Sequence, residues 1–355
     1  MPDHRSGPLT VAVVGATGAV GRTMLRILIE REFPFGTLRP LASIRSAGST
    51  LDIAGHRLTV AEARPEAFEG VDLALFSAGA AVSGALAPRA VEAGALAIDN
   101  SSRWRMEPGV PLVVPEVNAA DAADHEGLIA NPNCSTMQLV PLLAALRDSV
   151  GLERVVVDTY QAVSGTGHKA VAELEAQIVA HVEGRPAEAS VYPHPIAFNA
   201  LPQVDVFMDD GYTREEWKVT HESRKILHLP ELRLSCTAVR VPVFTAHSEA
   251  VHVETSAPIS PQRARELFAA VPGVVVIDDP AAARYPLAID AAGHDEIFVG
   301  RIRRDVSLPD GHGLAFWVVS DNLRKGAATN AVQIAELVQA RGWLAPASQR
   351  NGRAA

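Results

Sequence analysis

The stretch that decides the fold lies near the start of the chain and reads LTVAVVGATGAVG over residues 9–21. Its first half is largely apolar and β-branched, a pattern typical of a strand buried on both faces of a parallel sheet. Three glycines follow, and apolar residues then recur at helical spacing from Met24 to Leu28. The stretch therefore predicts a strand, a glycine-rich turn and a helix.

The glycines of this turn are spaced GxxGxxG rather than the commoner GxGxxG. In such a turn the first glycine allows the sharp bend, the second lets backbone N–H groups approach a pyrophosphate, and the third lets the helix pack closely on the strand. Glycine-rich turns also occur in proteins that bind no nucleotide, but the strand before this one and the helix after it favour a Rossmann-type dinucleotide-binding domain. The predicted cofactor-binding residues of the turn are Gly15, Thr17, Gly18, Ala19, Val20 and Gly21.

The end of the next predicted strand, near Leu38–Ala42, indicates which dinucleotide to expect. NAD sites usually carry an Asp or Glu about 20 residues beyond the glycines, whereas an Arg there accommodates a 2′-phosphate. This chain has no acidic residue in that stretch before Asp52, and it carries Arg45 instead. We predict NADP, with Ser43, Arg45 and Ser46 around the additional phosphate; the alternative is an ordinary solvent-exposed loop arginine.

A third predicted strand, Val71–Phe76, is followed directly by Ser77. Doubly wound sheets bind their ligands at the carboxyl ends of the strands, so Ser77 is also a predicted cofactor contact. We expect the sheet to continue through Leu112–Val114 before the chain reaches Cys134.

Cys134 lies in the run NPNCST, residues 131–136, between the apolar stretch Leu128–Ala130 and a helix-like stretch that begins near Gln138. A thiol near a helix N-terminus feels the partial positive charge of the backbone N–H groups, which favours the thiolate. Cys134 is therefore a candidate nucleophile, although many free cysteines are simply small buried side chains. We assign Cys236, which lies inside a predicted strand, to packing.

Composition limits the classes of partner. The chain has 355 residues, 48% hydrophobic content and a formal net charge of -9, which suits a globular protein of about two domains. No basic face for nucleic acid is indicated, and no apolar stretch at the N-terminus is long enough for a signal or a membrane span. We expect a cytoplasmic protein that acts on a small molecule, without a nucleic-acid or membrane partner. No metal site is predicted, because His247 and His252 lack further ligands at metal spacing.

The second half of the chain is predicted to be rich in strands. The predicted strands begin at Arg154 and continue with Leu232–Val243, Ala250–Glu254, Glu296–Val306 and Leu314–Ser320. Long antiparallel strands with few helices between them suggest a second, α+β domain. The last predicted helix, Lys325–Ala340, would return to the first domain. We therefore predict one domain over residues 1–133 plus 324–355 and another over residues 134–323.

Six blocks of the sequence together resemble the aspartate-semialdehyde dehydrogenase family. They are GATGAVG at 15–21, NPNCST at 131–136, TYQAVSGTG at 159–167, EEWK at 215–218, RVPVFTAHS at 240–248 and DNLRKGAATNAVQIAE at 321–336. The resemblance implies a Rossmann-type NADP-binding domain and an α+β catalytic and dimerisation domain like the C-terminal domain of glyceraldehyde-3-phosphate dehydrogenase. It also implies a homodimer, or a homotetramer built from two such dimers.

The implied reaction is the NADPH-dependent reductive dephosphorylation of 4-aspartyl phosphate to aspartate 4-semialdehyde, on the route to lysine, threonine, methionine and diaminopimelate. Cys134 would form a thioester, since a thiolate is both a nucleophile and a tolerable leaving group. His247 would be the acid/base, and Gln161 would orient the substrate near the thioester. Arg240 would hold the α-carboxylate through its planar fork of donors, and Glu215 would pair with the α-ammonium group.

The resemblance assigns further contacts. The implied phosphate contacts are Lys218, Arg105 and Asn133, and the implied neighbours of the nicotinamide are Ser164, Gly165 and Asn322. The chain also departs from the family pattern, because Ala246 stands where the family usually has Gly, and Thr166, His168 and Lys169 follow the glycine turn where other residues are frequent.

Two other functions remain open at this level. N-acetyl-γ-glutamyl-phosphate reductase shares the fold and the thioester chemistry, but its acylated substrate has no ammonium group for Glu215, and that family favours Gly before its Cys and an aromatic residue after it. A catalytically inactive NADP-binding paralogue should lack a reacting residue, whereas Cys134, His247 and Arg240 are all present.

Overall fold

The computed structural model describes residues 8–351 of the chain. The strands are β1 (Leu9–Val14), β2 (Phe35–Ala42), β3 (Thr50–Ile53), β4 (His56–Thr59), β5 (Ala61–Glu62), β6 (Leu73–Phe76), β7 (Leu96–Asp99), β8 (Leu128–Ala130), β9 (Arg154–Gln161), β10 (Arg233–Arg240), β11 (His247–Glu254), β12 (Val274–Val276), β13 (Ile297–Arg304) and β14 (Gly313–Ser320). The α-helices are α1 (Ala19–Glu30), α2 (Ala80–Glu92), α3 (Pro115–Asn118), α4 (Cys134–Val150), α5 (His168–Val182), α6 (Arg214–Ile226), α7 (Pro261–Ala269), α8 (Ala288–Ala291), α9 (Asn330–Ala340) and α10 (Ala347–Asn351). The described chain forms two compact units: the residues before Cys134 together with those from Ala327 onward form the first, and Cys134–Gly326 forms the second.

The first unit contains a parallel sheet with the strand order β5-β2-β1-β6-β7-β8. The order reverses at β1, because β2 lies on one side of it and β6 on the other. This reversal is the point at which open parallel sheets bind their ligands, at the carboxyl ends of the strands. The Rossmann-type domain predicted from the sequence is confirmed.

Strand β1 is buried on both faces, as its apolar sequence predicted. Val11 and Val13 pack in one core cluster with apolar residues of α1 and α9. Ala12 and Val14 point to the opposite face and pack in a second cluster with α2. Because successive side chains of a strand alternate between the faces, one short apolar run supplies both cores.

The second unit contains a sheet with the strand order β10-β9-β11-β14-β13-β12. The pairs β9–β11, β11–β14 and β13–β14 are antiparallel, whereas β9–β10 and β12–β13 are parallel. The α+β class is therefore confirmed, but the expectation of antiparallel pairing is wrong at both edges. The chain between β9 and β10 carries α5 and α6, and a connection of that length permits parallel pairing.

Two predicted elements differ from the observed ones. Leu112–Val114 is not a strand; Leu112 makes one isolated bridge to Ala130, and prolines at positions 111 and 115 flank the segment, so it cannot extend the ladder. The predicted helix Lys325–Ala340 begins as a π-helical turn, Arg324–Thr329, and becomes α-helical only at Asn330. π-Helical turns are rare and often lie at functional sites.

Candidate active site

Cys134 is the first residue of α4, shortly after β8 ends at Ala130. It is partly exposed, whereas the neighbouring Ser135 is fully buried. Gly326 lies against it, because a Cβ atom built there would come 3.0 Å from the Cβ of Cys134. The thiol therefore lies at the positive end of a helix, as the sequence predicted, with a glycine leaving room beside it.

Three predicted site residues share one row across the sheet of the second unit. Arg240 on β10 lies opposite Gln161 on β9. Strands β9 and β11 pair with Ser248 opposite Tyr160, so the next step of the register brings His247 beside Gln161. Arg240, Gln161 and His247 are all buried on the same face of the sheet.

The Gln161 side chain connects this row to α4 and α6. Its Nε2 atom donates to Ser135 Oγ at 3.0 Å, and it lies 3.3 Å from Thr159 Oγ1 and 3.2 Å from Glu215 Oε1. Ser135 is the residue directly after Cys134, and Glu215 lies in the first turn of α6. One amide thus fixes the nucleophile's helix relative to the predicted ammonium-binding carboxylate.

Glu215 and Lys218 form an ion pair on α6. Lys218 Nζ lies 3.2 Å from Glu215 Oε2 and 2.8 Å from Asp205 Oδ2. The start of the helix is fixed by a capping box between Thr213 and Glu216. This geometry holds the Lys218 ammonium between two carboxylates.

Arg240 is a buried cation whose position is fixed by the backbone. Its Nη1 atom donates to the carbonyl of Ala162 at 2.7 Å, and its Nε atom is buried and has no hydrogen-bond partner within residues 8–351. A Cβ at Gly165 would come 3.1 Å from Nη1, so a glycine at this position lets the turn approach the guanidinium. A buried guanidinium that keeps N–H donors beyond the one bonded to Ala162 is suited to an anionic ligand.

His247 is fully buried, and the backbone fixes its ring as well. The N–H of Ala162 donates to His247 Nδ1 at 3.0 Å, while Nε2 is buried without a hydrogen-bond partner in the described part of the chain. Burial, and then the positive charge of Arg240, lowers the pKa of His247 to about 3, against smaller opposing effects of Glu215 and the Ala246 backbone. The imidazole is therefore neutral at physiological pH, and because Nδ1 accepts a hydrogen bond, its proton is on Nε2.

Asn322 forms hydrogen bonds with two loops beside this row, one that contains Ala246 and one that contains Ser164. Its Oδ1 atom accepts from the N–H of Ala246 at 3.0 Å, and its amide contacts Ser164 Oγ at 3.0 Å. Ala246 has a φ of 75°, a left-handed conformation that costs a non-glycine residue about 1–2 kcal/mol. A glycine would adopt this conformation without that cost, and the bond to Asn322 holds the alanine in it.

The glycine-rich turn of the first unit is built for an anionic group. Helix α1 begins after Gly18 with no side-chain cap, so the N–H groups of its first turn remain directed at whatever lies beyond the terminus. A Cβ at Gly21 would come 2.2 Å from the Gly15 carbonyl oxygen, and one at Gly15 would come 2.4 Å from the Ser77 carbonyl oxygen. The turn residues Thr17, Ala19 and Val20 are thus held close to the ends of β1 and β6. This arrangement fits a dinucleotide pyrophosphate.

The segment after β2 presents the predicted phosphate contacts. Ser43 and Arg45 are exposed and Ser46 is partly exposed. Ser46 N–H donates to the Ser43 carbonyl at 2.8 Å, which folds the segment into a turn. The Gly15 N–H donates to the Leu41 carbonyl at 2.9 Å, so the end of β2 adjoins the glycine-rich turn.

Arg105 and Asn133 also belong to the first unit, and both are buried. Arg105 Nη2 donates to the Asn100 carbonyl at 2.8 Å. The predicted residues that the structure brings into the second unit are Cys134, Gln161, Ser164, Gly165, Glu215, Lys218, Arg240, His247 and Asn322.

Sequence reasoning missed several contacts of this site. Ser135 lies in the NPNCST block but was given no role, and Asp205 belongs to no motif used above; they accept hydrogen bonds from Gln161 and Lys218. The close approach of Gly326 to Cys134 could not be predicted from the sequence either. The one available signal was that Gly326 lies next to the predicted start of the helix Lys325–Ala340. Contacts between segments far apart in the chain leave no local pattern to read.

Among residues 8–351, no group of three or more His, Cys, Asp or Glu side chains is arranged to hold a metal ion. None of the helices in the described chain has the length and apolar character needed to cross a membrane.

The fold and the site are those of a dehydrogenase with a dinucleotide-binding domain and a thiol-bearing domain, and comparisons with known families agree. Residues 10–125 match the family model described as semialdehyde dehydrogenase, NAD binding domain. Residues 143–325 match the model described as semialdehyde dehydrogenase, dimerisation domain. Binding of a nicotinamide dinucleotide is a property of this class.

Individual relatives of known sequence and structure identify the family within this class of dehydrogenases. The aspartate-semialdehyde dehydrogenase of Aquifex aeolicus is 54% identical over 94% of this chain and 99% of its own length, and that of Bacillus subtilis is 52% identical over 92% and 96%. The crystal structure of aspartate semialdehyde dehydrogenase II from Vibrio cholerae complexed with ASA matches with a TM-score of 0.90 and 47% identity, covering 94% of this chain and 98% of that one. The Candida albicans enzyme with NADP matches with a TM-score of 0.75 and 25% identity, covering 95% and 100%. The chain belongs to the aspartate-semialdehyde dehydrogenase family.

The environment of His247 predicts its protonation state. In protein labelled at the histidine ring nitrogens, NMR should show the His247 proton on Nε2 and none on Nδ1, unchanged between about pH 8 and about pH 5. The lowered pKa keeps the ring neutral across this range, whereas an unperturbed histidine would become charged. His247→Asn identifies the signal by its loss. An imidazolium at about pH 6, or a proton on Nδ1, would contradict the hydrogen bond from Ala162.

Proposed function

We propose that this enzyme reduces 4-aspartyl phosphate to aspartate 4-semialdehyde with NADPH, releasing phosphate, through a thioester on Cys134. The reaction supplies lysine, threonine, methionine and diaminopimelate biosynthesis. The observation that carries the proposal is the joint placement, within one unit, of Cys134 at the start of α4 and of Arg240, Gln161 and His247 in one row of the sheet. The names of the relatives support the same reaction.

Two charged side chains are proposed to bind the amino-acid part of the substrate. Arg240 suits the α-carboxylate, because its guanidinium is buried and keeps donors beyond the one engaged by Ala162. Glu215 suits the α-ammonium group, because it is a buried carboxylate held by Gln161 and Lys218. An N-acetylated substrate would offer Glu215 no positive charge, so the free amine is favoured.

The first chemical step is proposed to take place at Cys134. The thiolate attacks the acyl carbon, and phosphate leaves with the electron pair of the broken C–O bond. Gln161, held against Ser135, orients the acyl group beside the nucleophile. Lys218 is proposed to bind the phosphate, a role that the family resemblance also gives to Arg105 and Asn133.

The second step is reduction of the thioester. A bound reduced nicotinamide supplies the hydride. His247 is proposed to act as the acid toward the oxygen that becomes negative by donating a hydrogen bond to it from Nε2–H, and this oxyanion then re-forms the carbonyl as the C–S bond breaks, which releases the aldehyde and the Cys134 thiolate. Because Ala162 occupies Nδ1, the arrangement supports the acid role of His247 more than removal of the Cys134 thiol proton.

NADP is the proposed cofactor. The glycine-rich turn, Gly15–Gly21, and Ser77 are proposed to hold the pyrophosphate end, and Ser43, Arg45 and Ser46 the 2′-phosphate. The exposed side chain of Arg45 in the turn after β2 supports this assignment, because it is available to an anionic ligand. Ser164, Gly165 and Asn322 are proposed to border the nicotinamide. We assign the cofactor-binding domain to residues 1–133 and 324–355, and catalysis and dimerisation to residues 134–323.

A homodimer, which can assemble further into a tetramer, is proposed from the outer face of the second sheet. Trp317 and Tyr285 line an open cavity of about 340 Å³ on this face, and the nearby Ile289 is 82% exposed. Exposed apolar surface of this kind is typical of subunit contacts. A cytoplasmic location is proposed because the reaction requires a reduced Cys134.

An assay tests the reaction directly. The protein should oxidise aspartate 4-semialdehyde with NADP only when phosphate is present, since phosphate must release the acyl group from Cys134. Cys134→Ala should abolish turnover while retaining NADP binding and the wild-type unfolding temperature. Faster turnover of the N-acetylglutamate analogue would contradict the substrate assignment, and substantial turnover by Cys134→Ala would contradict the nucleophile.

The cofactor assignment has a separate test. Arg45→Ala should raise the KM for NADPH by about tenfold, the expected effect of losing one charge-assisted hydrogen bond, and change the KM for NADH by less than about twofold. Arg26→Ala removes the same charge from an exposed position on α1 and should leave both values unchanged. Equal effects of Arg45→Ala on both cofactors, or no effect on either, would remove Arg45 from the proposed phosphate site.

A further inference from the structure

The segment of residues 188–201, between α5 and α6, is fastened to α5 by two buried side chains. Glu173 Oε2 accepts from Ser190 N–H at 2.8 Å and from Val191 N–H at 2.6 Å. Burial alone would raise the pKa of Glu173, but the hydrogen bonds from residues 190–192 outweigh it and lower the pKa, which keeps the carboxylate charged. Gln177, one turn further along α5, accepts from Ile196 N–H at 2.9 Å. The segment is therefore rigidly placed, although it has no regular secondary structure.

This placement brings Tyr192 to Arg240. The guanidinium carbon of Arg240 lies 6.0 Å from the centroid of the Tyr192 ring, within the range in which an aromatic face attracts a cation. At the end of the same segment, Leu201 and Arg240 exchange two backbone hydrogen bonds, at 2.9 and 2.8 Å. The segment thus contacts both the backbone and the guanidinium of Arg240.

The Tyr192 hydroxyl has a partner of its own. It donates to Thr166 Oγ1 at 2.9 Å. Thr166 lies in the turn Val163–Thr166, directly after Gly165, where a Cβ atom would come 3.1 Å from Arg240 Nη1 and 3.3 Å from the His247 ring. Thr166 is one of the residues in which the chain departs from the family pattern, and this hydrogen bond gives it a structural role.

We propose that Tyr192 is a positioning residue that fixes the Arg240 guanidinium for the substrate carboxylate. Ala162 holds one nitrogen of the guanidinium, and that single bond leaves the plane of the group free to rotate about it. The Tyr192 ring restricts that rotation, and the bond to Thr166 fixes the ring. The inference rests on the proposed function, in which Arg240 binds the α-carboxylate.

The test separates substrate binding from chemistry. Tyr192→Leu should raise the KM for aspartate semialdehyde by about 3- to 30-fold, the range that corresponds to loss of a cation–aromatic contact, with kcat changed by less than about twofold. The KM values for phosphate and NADP should stay at the wild-type level. Tyr192→Phe retains the ring and should restore the KM for aspartate semialdehyde to within about threefold of wild type, and Thr166→Val should match Tyr192→Phe, because each removes one partner of the same hydrogen bond.

A double-mutant cycle decides whether Tyr192 acts through Arg240. Arg240→Leu alone should raise the KM strongly, and adding Tyr192→Leu to it should have no further effect on kcat/KM. An unchanged KM in Arg240→Leu would contradict the carboxylate assignment of the proposed function. A strong effect of Arg240→Leu with none of Tyr192→Leu, or equal effects of Tyr192→Leu in both backgrounds, would overturn the role of Tyr192 alone. If Tyr192→Leu unfolds, the cycle is run with Tyr192→Phe and Thr166→Val, where loss of the predicted match contradicts the proposal.

Discussion

Both main-chain groups of Ala162 are used by the candidate active site, and the rest of the site depends on them. Its carbonyl accepts a hydrogen bond from Arg240, and its N–H donates to His247. Ala162 follows β9 directly, and β9 lies between the strands that carry these two side chains. The sheet register therefore sets the spacing of the cation and the imidazole, and the backbone of one residue holds one nitrogen of each.

The electrostatics of the site follow from burial. His247 stays neutral because it is buried beside the positive charge of Arg240. On the same face of β11, Glu249 is fully buried, and burial raises its pKa well above the usual range; burial, and then Glu249, also raises the pKa of Cys236. Burial therefore disfavours charge on Glu249 and Cys236, whereas Arg240 and Glu215 bring a positive and a negative charge to the site. Such a pair complements a substrate that carries one carboxylate and one ammonium group.

Much of the fold could be predicted because its strands are short, apolar and separated by glycines. The predicted limits of β1 match the observed strand, whereas α4 begins at Cys134, four residues before the start near Gln138 that the apolar spacing predicted. Strand direction in the second unit could not be read, since parallel and antiparallel neighbours have the same local pattern. The π-helical turn before α9 was missed for a similar reason, because its hydrogen bonds span only one residue more than those of an α-helix.

The site residues were predicted from the six sequence blocks that resemble the family. Those blocks identify candidate residues but contain no information about distances or orientations. The blocks could not indicate that Ala162 fixes the His247 ring, or that Tyr192 lies against Arg240. Tyr192 lies in an irregular segment whose position is set by hydrogen bonds to Glu173 and Gln177, far away in the chain. Long-range hydrogen bonds of this kind have no periodic signature.

The central claim is a covalent bond between Cys134 and an aspartyl group. Mass spectrometry of enzyme incubated with 4-aspartyl phosphate in the absence of reductant, then quenched in acid and digested, tests it most directly. We predict an aspartyl thioester on the peptide that contains Cys134, and none on folded Cys134→Ala. A folded wild-type enzyme that carries no adduct, or one that carries it on another peptide, would contradict the account.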